Sequence, residues 1–264
     1  MRKPSLLRQI FSVTARGRWR VITFLGLRLR LRRAPARLHR VNRLPIEPRK
    51  IVLCNYLGQS YGCNPKYVSE FILKLDLPWQ QVWLVSDPLK MRADFPREIE
   101  LVDYQSSEAL RAHATAAVWV DNHHKRRFFK HGLERRPGQL FIETWHGSLG
   151  IKKSEGALHA DRYWEHLEQR HISLYTANSA YESAFFRRDF HTRAPIEMTG
   201  HPRNDVFFLS DTARLHLREK VFTRLHLDPK KRLVLYAPTF RTVTETDPAH
   251  PARLNHAAAL CGAL

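Results

Sequence analysis

The chain has 264 residues, 43% of them hydrophobic, which leaves room for one large domain or two smaller ones and excludes a chain disordered throughout. Three cysteines, Cys54, Cys63 and Cys261, are too few for a disulfide framework and lack the second pair of a zinc site, so a reducing compartment is expected. The formal charge of +19 is uneven, because the first fifty residues carry fifteen Lys and Arg against one acid, Glu47, and the remainder is nearly balanced.

The longest apolar run of this basic leader, Val21 to Leu27, falls short of the roughly 20 residues that cross a bilayer. Arginines follow it where a cleaved signal peptide would carry small residues. A surface binder remains. Leu6, Leu7, Ile10, Phe11 and Val13 are predicted to form one apolar face of a helix beside Arg2, Lys3 and Arg8, with Trp19, Phe24 and Leu25 as further insertion points. Basic residues at an anionic leaflet contribute about 1 kcal/mol each. Residues 1–48 are therefore read as a basic amphipathic leader holding the body peripherally on the cytoplasmic face of the cell membrane. A solvated tail and a nucleic-acid arm are the other readings. No zinc-finger, helix-turn-helix or RNA-platform pattern supports the last, and no nucleic-acid partner is expected.

After Pro45 and Pro48, short apolar runs alternate with helical stretches. Ile51 to Cys54 reads as a buried strand, followed by the loop Gly58 to Gly62 and by Asn64-Pro65, predicted to cap a helix carrying Tyr67, Val68, Phe71, Ile72 and Leu75. Further strands are expected at Gln81–Val85, Glu100–Val102, Ala117–Val120, Gln139–Thr144, Ile172–Thr176 and Ile196–Thr199. Helices are expected at Ala109–Ala116 and Tyr181–Phe190, the second preceded by Asn178-Ser179. This alternation predicts parallel β-α-β units in a doubly wound α/β domain spanning residues 49–205. A second unit, 206–264, is expected to open with a helix from Val206 to Leu227 and a strand from Arg232 to Tyr236. Its 59 residues are too few for a complete Rossmann-like domain of about 100.

Four loops follow predicted strands, where doubly wound folds bind ligands: Gly58–Gly62, Trp145–Lys153, Gly200–Asp205 and Ala237–Arg241. The second is richest. His146 follows a strand directly and titrates near neutrality. Gly147 and Gly150 permit close backbone approach, Ser148 brings a hydroxyl, and Lys152 and Lys153 add charge near a helix start that suits an anion. One histidine of fifteen is more often a turn residue, but the clustering at one strand end favours function. His123-His124 reads as a solvent-facing pair in a basic loop, and His159 and His166 as surface residues of a polar helix. No metal constellation is visible and no cofactor is implied.

These segments resemble the CDP-glycerol glycerophosphotransferase family, whose members build teichoic-acid and related glycerol-phosphate or ribitol-phosphate polymers. A Trp-His-Gly-Thr-Pro-Leu-Lys-Lys pattern is similar to Trp145–Lys153, with Leu149-Gly150 in place of proline. A Gly-Tyr-Pro-Arg-Asn-Asp pattern is similar to Gly200–Asp205, with His201 replacing tyrosine. Tyr-Ala-Pro-Thr-Phe-Arg stands intact as Tyr236–Arg241, and Asn64-Pro65-Lys66-Tyr67 adds weaker similarity. The resemblance covers roughly Arg49 to Arg241. It implies a GT-B-like architecture of two facing Rossmann-like domains, with the second, nucleotide-donor one incomplete here.

The resemblance also implies chemistry. His146 would be the base that takes a proton from an acceptor hydroxyl. That oxygen attacks the β-phosphorus of CDP-glycerol or CDP-ribitol, and CMP leaves. The acceptor would be a polymer or a lipid-linked molecule. Gly147, Ser148, Lys152, Arg203, Asp205, Thr239 and Arg241 are candidate substrate and phosphate contacts by residue type and loop position, while Arg203 also suits a role pinning a junction. The family's second histidine, in a His-Pro context, and its serine-rich phosphate segment have no counterpart. His250-Pro251 has the right letters but lies too close to Arg241. The chain thus reads as a C-terminally truncated transferase, weak or inactive alone. The alternatives are a non-catalytic binding fragment and a GT-B glycosyltransferase using a nucleotide-sugar donor.

Overall fold

The computed structural model describes residues 11–16, 19–24, 27–32, 40–123, 125–147 and 169–234. The chain divides into two compact units, residues 1–208 and 209–264.

The described part of the leader corrects the expected helix. Phe11–Arg16 (β1), Trp19–Phe24 (β2) and Leu27–Arg32 (β3) form a three-stranded antiparallel sheet, with Phe11 paired to Phe24 and Phe24 to Leu27. Leu27 to Arg32 alternates leucine and arginine with period two, and Val13, Thr14, Val21, Ile22 and Thr23 are β-branched. Both features favour a pleated strand over a helix. Leu6, Leu7, Ile10, Leu25, Arg2, Lys3 and Arg8 lie outside the described residues.

The body of the first unit is a seven-stranded sheet. Its strands are β4 (Glu47–Cys54), β5 (Gln80–Val85), β6 (Glu100–Asp103), β7 (Ala116–Asp121), β8 (Leu140–Glu143), β9 (Leu174–Thr176) and β10 (Ile196–Glu197). They lie in the order β10-β9-β8-β7-β4-β5-β6, and every adjacent pair is parallel. Parallel strands need crossover helices that cover both faces, so the central strands read as continuous apolar runs. Val52 and Cys54 of β4 join Trp119 and Phe141 in one core, while Ile51 and Leu53 join Trp83, Val85 and Val120 in the other.

The crossovers include α1 (Cys63–Lys74), α2 (Pro88–Met91), α3 (Ser107–Thr115), α4 (Arg126–Lys130) and α5 (Ala180–Asp189). Ser106 and Ser179 cap α3 and α5 by accepting from the N–H groups of Ala109 and Glu182, at 3.2 Å each. Asn64 is not the cap expected of it. Helix α1 begins two residues earlier after an uncapped Gly62, and Asn64 is buried in its first turn.

Strand order reverses between β4 and β7. A doubly wound sheet opens a crevice at that point, beyond the C-terminal strand ends. The loop after β4 is pinned there by Gly58, which has φ +87°. A Cβ on it would lie 3.0 Å from the Ser86 nitrogen and from the Val85 carbonyl carbon. Gly58→Ala is expected to destabilise the fold by about 2 kcal/mol or more, from left-handed strain and backbone collision together, read from the urea midpoint.

The predicted helix from Val206 to Leu227 is two elements. A 3-10 segment, Pro202–Phe208, ends the first unit, and α6 (Asp211–Arg224) belongs to the second. The break falls at Ser210, whose hydroxyl accepts from the Ala213 N–H at 3.3 Å and starts a new helix instead of continuing an old one. Residues 232–234 carry no strand, and the rest of the expected strand lies outside the described residues.

Candidate active site

Three strand ends meet at the reversal point. Strand β4 hands over to Asn55 and Tyr56, β7 to Asn122 and His123, and β8 to Thr144, Trp145 and His146. Thr144 extends the β7–β8 pairing, since its N–H and its hydroxyl both donate to the Asp121 carbonyl, at 2.8 and 2.9 Å. The chain then turns sharply. Trp145 has φ +53°, its N–H donates to Glu143 Oε1 at 2.8 Å, and its buried ring packs on Phe190. A left-handed conformation at a bulky residue costs on the order of 1–3 kcal/mol and is held by its surroundings. Here the core anchors the tryptophan, and the next side chain, His146, leaves the sheet toward Asn122.

His146 is half-buried, and its Nδ1 lies 2.5 Å from the Asn122 carbonyl oxygen. A carbonyl only accepts, so Nδ1 carries the proton of the neutral ring and Nε2 holds the basic lone pair. The carbonyl is itself fixed. Asn122 is fully buried; its N–H donates to Asp121 Oδ1 (2.7 Å), its Nδ2 donates to Asn55 Oδ1 (2.7 Å), and its Oδ1 accepts from the Tyr56 N–H (2.9 Å). Asn55 in turn donates to the Ser60 hydroxyl at 2.7 Å. An asparagine pair thus ties the ends of β4 and β7 together under the imidazole.

Beneath them Asp121 pairs with Lys125, both fully buried. Burial works against the ammonium, but attraction to Asp121, to Cys54 and to Glu143 holds Lys125 above the ordinary lysine range. Burial, then the Asp121 charge, pushes the Cys54 thiol well up.

A second clamp reaches across from α1. Asn64 Nδ2 donates to the carbonyls of Thr144 and Trp145, both at 3.0 Å, and its Oδ1 accepts from the Arg203 N–H at 3.2 Å. Arg203 Nη1 donates to the His146 carbonyl at 2.7 Å and approaches Cys63 Sγ at 3.4 Å. His146 is therefore gripped through its ring by Asn122 and through its backbone by Arg203.

Tyr56 and His123 complete the surroundings. The rings of His123 and His146 stack at 5.1 Å and 14°, and Tyr56 meets them edge-on at 4.7 and 5.2 Å respectively. His123 is thus not the solvent-facing residue expected of it: it is half-buried against the candidate base. Tyr56, Leu57 and Cys63, like Trp145, have left-handed backbone, so four of the seven such non-glycine residues among the described ones lie around this crevice.

Of the sequence-predicted site residues, the structure brings together His146, Gly147 and Arg203. Among the described residues, nothing lies within 4 Å of where a Cβ on Gly147 would sit. Asp205 is exposed, and after burial and Glu70 its charge raises the Tyr67 hydroxyl of α1. Ser148, Lys152, Thr239 and Arg241 lie outside the described residues, as do His124, His159, His166 and His250. His201 is buried with its Nε2 3.3 Å from Glu182 Oε2, a support for the Gly200 turn. Among the described residues no group of three His, Cys, Asp or Glu is placed to hold a metal. A cleft lined by Glu47, Pro48, Arg49, Lys50, Pro78 and Gln80 lies at the opposite, N-terminal end of β4 and β5, away from this chemistry.

Asn55, Asn122 and the Asp121–Lys125 pair were missed by the sequence reading, and Asn64 was read as a helix cap and part of a weaker family similarity, not as a clamp on the loop. Their one signal is position: Asn55 and Asp121-Asn122-His123 are polar residues that follow apolar strand runs directly. Asn64 carried no such mark.

Residues 36–259 match the family described as CDP-Glycerol:Poly(glycerophosphate) glycerophosphotransferase. The teichoic acid poly(glycerol phosphate) polymerase of Staphylococcus epidermidis is 28% identical over 207 residues, covering 74% of this chain and 28% of that protein. The polymerase of the same description from Bacillus spizizenii is 26% identical over 214 residues, covering 75% and 51%. The solved wall teichoic acid polymerase TagF superposes with a TM-score of 0.64 at 25% identity, covering 75% of this chain and 49% of that one. A variant of it was soaked with CDPG. The chain spans between about a quarter and a half of the length of these relatives.

Proposed function

Because the chain belongs to the CDP-glycerol:poly(glycerophosphate) glycerophosphotransferase family, we propose that it transfers glycerol phosphate, or ribitol phosphate, from a CDP-alditol to a hydroxyl of a cell-surface polymer or lipid-linked acceptor and releases CMP. The observation that carries this reading is the His146 Nδ1 contact to the Asn122 carbonyl at the sheet's reversal point. It leaves Nε2 as a base on a half-buried ring at the place where doubly wound folds hold their ligands.

In the proposed step Nε2 takes the acceptor's hydroxyl proton. The freed oxygen forms a bond to the β-phosphorus, the bond from that phosphorus to the bridging oxygen breaks, and CMP departs with the electron pair. Alignment and charge stabilisation supply the rest of the acceleration. Gly147, Ser148, Lys152, Thr239 and Arg241 are proposed substrate and phosphate contacts. Arg203 holds the loop with Nη1, and its Nη2 and Nε donors remain for a phosphate. Asp205, whose charge acts on Tyr67, is proposed as a further substrate contact.

The basic leader is proposed to hold the chain peripherally at an anionic cytoplasmic membrane surface. Among the described residues no helix is long and apolar enough to cross a membrane.

Donor competition tests the reading. CDP-glycerol or CDP-ribitol is expected to bind and to release CMP, while UDP-sugars do neither. Turnover of a UDP-sugar in place of the CDP-alditol would move the chain to the glycosyltransferases that share the architecture.

A further inference from the structure

The turn that carries His146 is strained, and its strain has to be held. Trp145, one residue before, keeps a left-handed backbone at φ +53°. Such a conformation in a bulky residue persists only where the surroundings over-determine it. The core fixes the Trp145 ring against Phe190, but a ring anchor does not by itself set the backbone angles. Hydrogen bonds do. The Trp145 N–H donates to Glu143 Oε1 at 2.8 Å. The carbonyls of Thr144 and Trp145 both accept from Asn64 Nδ2, at 3.0 Å each. The two protons of one amide thus bridge two successive carbonyls, and the peptide units on either side of Trp145 are both tied.

The same amide reaches a second loop. Asn64 Oδ1 accepts from the Arg203 N–H at 3.2 Å, and Arg203 Nη1 donates to the His146 carbonyl at 2.7 Å. The path is closed, running from Asn64 through Trp145, His146 and Arg203 back to Asn64. Asn64 is fully buried in the first turn of α1, so an element of the fold carries this clamp and bulk water does not compete for it. The residue type is demanding. An ionised aspartate donates to no carbonyl, and an apolar side chain makes none of the three bonds. A buried amide that met one loop would serve stability alone. One that holds both the turn aiming the base and the arginine on that base's carbonyl sets the two relative to each other.

We propose that Asn64 is a positioning residue for the transfer: it holds the Trp145 turn so that His146 keeps Nδ1 on the Asn122 carbonyl and Nε2 as its basic nitrogen, and it keeps Arg203 in step with that base. This rests on the reading of His146 as the base. It also gives the Asn64-Pro65 pair of the sequence a task other than capping a helix.

The test is an NMR reading of the His146 ring nitrogens in the full chain at about pH 8, with the signals assigned by their loss in His146→Gln. The unaltered chain is expected to show the Nδ1–H form. Asn64→Ala, which releases both loops, is expected to show a mixture of the Nδ1–H and Nε2–H forms, and Asn64→Ser, which keeps one hydroxyl donor, a smaller change. The ring signature serves as the readout even where turnover is low. CMP release from CDP-glycerol should fall by about 10–100-fold in Asn64→Ala, the scale of a displacement of about 1 Å at a reacting group. In a His146→Gln background the same substitution should cost less than about threefold, because it acts through His146. An equal cost in both backgrounds would mean a merely structural role and overturns the proposal. An unchanged Nδ1–H signature in both Asn64 variants also overturns it, as does failure of both to fold, which would make Asn64 a residue of stability alone. A mixed signature combined with CMP release that survives His146→Gln would uphold the positioning and remove the base assignment instead.

Discussion

Replacing His146 with glutamine is expected to lower CMP release from CDP-glycerol by about 10²–10⁴-fold, with little change in the KM for the donor. The reason lies in the two ring nitrogens. Glutamine can still offer an N–H toward the Asn122 carbonyl, which lies 2.5 Å from His146 Nδ1, but it brings no group able to accept a proton at neutral pH. The substitution therefore removes the base while leaving the loop's anchors, Trp145 in the core and Arg203 on the His146 carbonyl, in place. Because the imidazole also stacks on His123 and meets Tyr56, the variant is expected to lose about 0.5–3 kcal/mol of stability in urea denaturation while remaining folded. Equal CMP release would take His146 out of the mechanism, and loss of activity together with loss of fold would make it structural.

The second large effect lies below the site. Lys125→Met is expected to destabilise the fold by about 3–5 kcal/mol, because it strands the buried Asp121 carboxylate beneath the β7 end. Adding Asp121→Asn should recover much of that loss. The double variant no longer buries a charge, and an amide oxygen can still accept from the N–H groups of Asn122 and His123. Chemical denaturation of both single variants and the double variant closes the cycle. A double variant no more stable than Lys125→Met would mean that lost packing around Phe128 and Phe141, rather than stranded charge, sets the cost. Catalysis should follow stability only in part, since Asp121 also holds the Asn122–His123 turn against which the imidazole is oriented.

Local chemistry in the chain was enough for much of this protein. Ile51–Cys54, Gln81–Val85 and Ala117–Val120 are β-branched and apolar runs bounded by turn residues, and each became a central strand buried on both faces. His146 was legible for the same reason: it comes just beyond a strand, and a residue in that position of a parallel sheet emerges at the ligand-binding edge. The leader shows where one local signal masked another. Its apolar residues at the start suggested a helix, while the leucine–arginine alternation from Leu27 to Arg32 carried the period that prevailed in β3.

The order of the strands along the sheet was not written in any segment. Parallel neighbours are chosen by long-range packing, and only the placement of β7 and β8 on one side of β4, with β5 and β6 on the other, makes a crevice at Asn55, Asn122 and His146. The three asparagines belong to this second kind of information. An amide is unremarked in a sequence because its value depends on which buried donors and acceptors it meets, and Asn64 meets two carbonyls 80 and 81 residues away and an N–H 139 away. Residue types and period thus determined the α/β class, the strand ends and the imidazole. Folding alone decided which polar groups would face one another across that edge, because a hydrogen bond between distant residues exists only once the sheet has assembled.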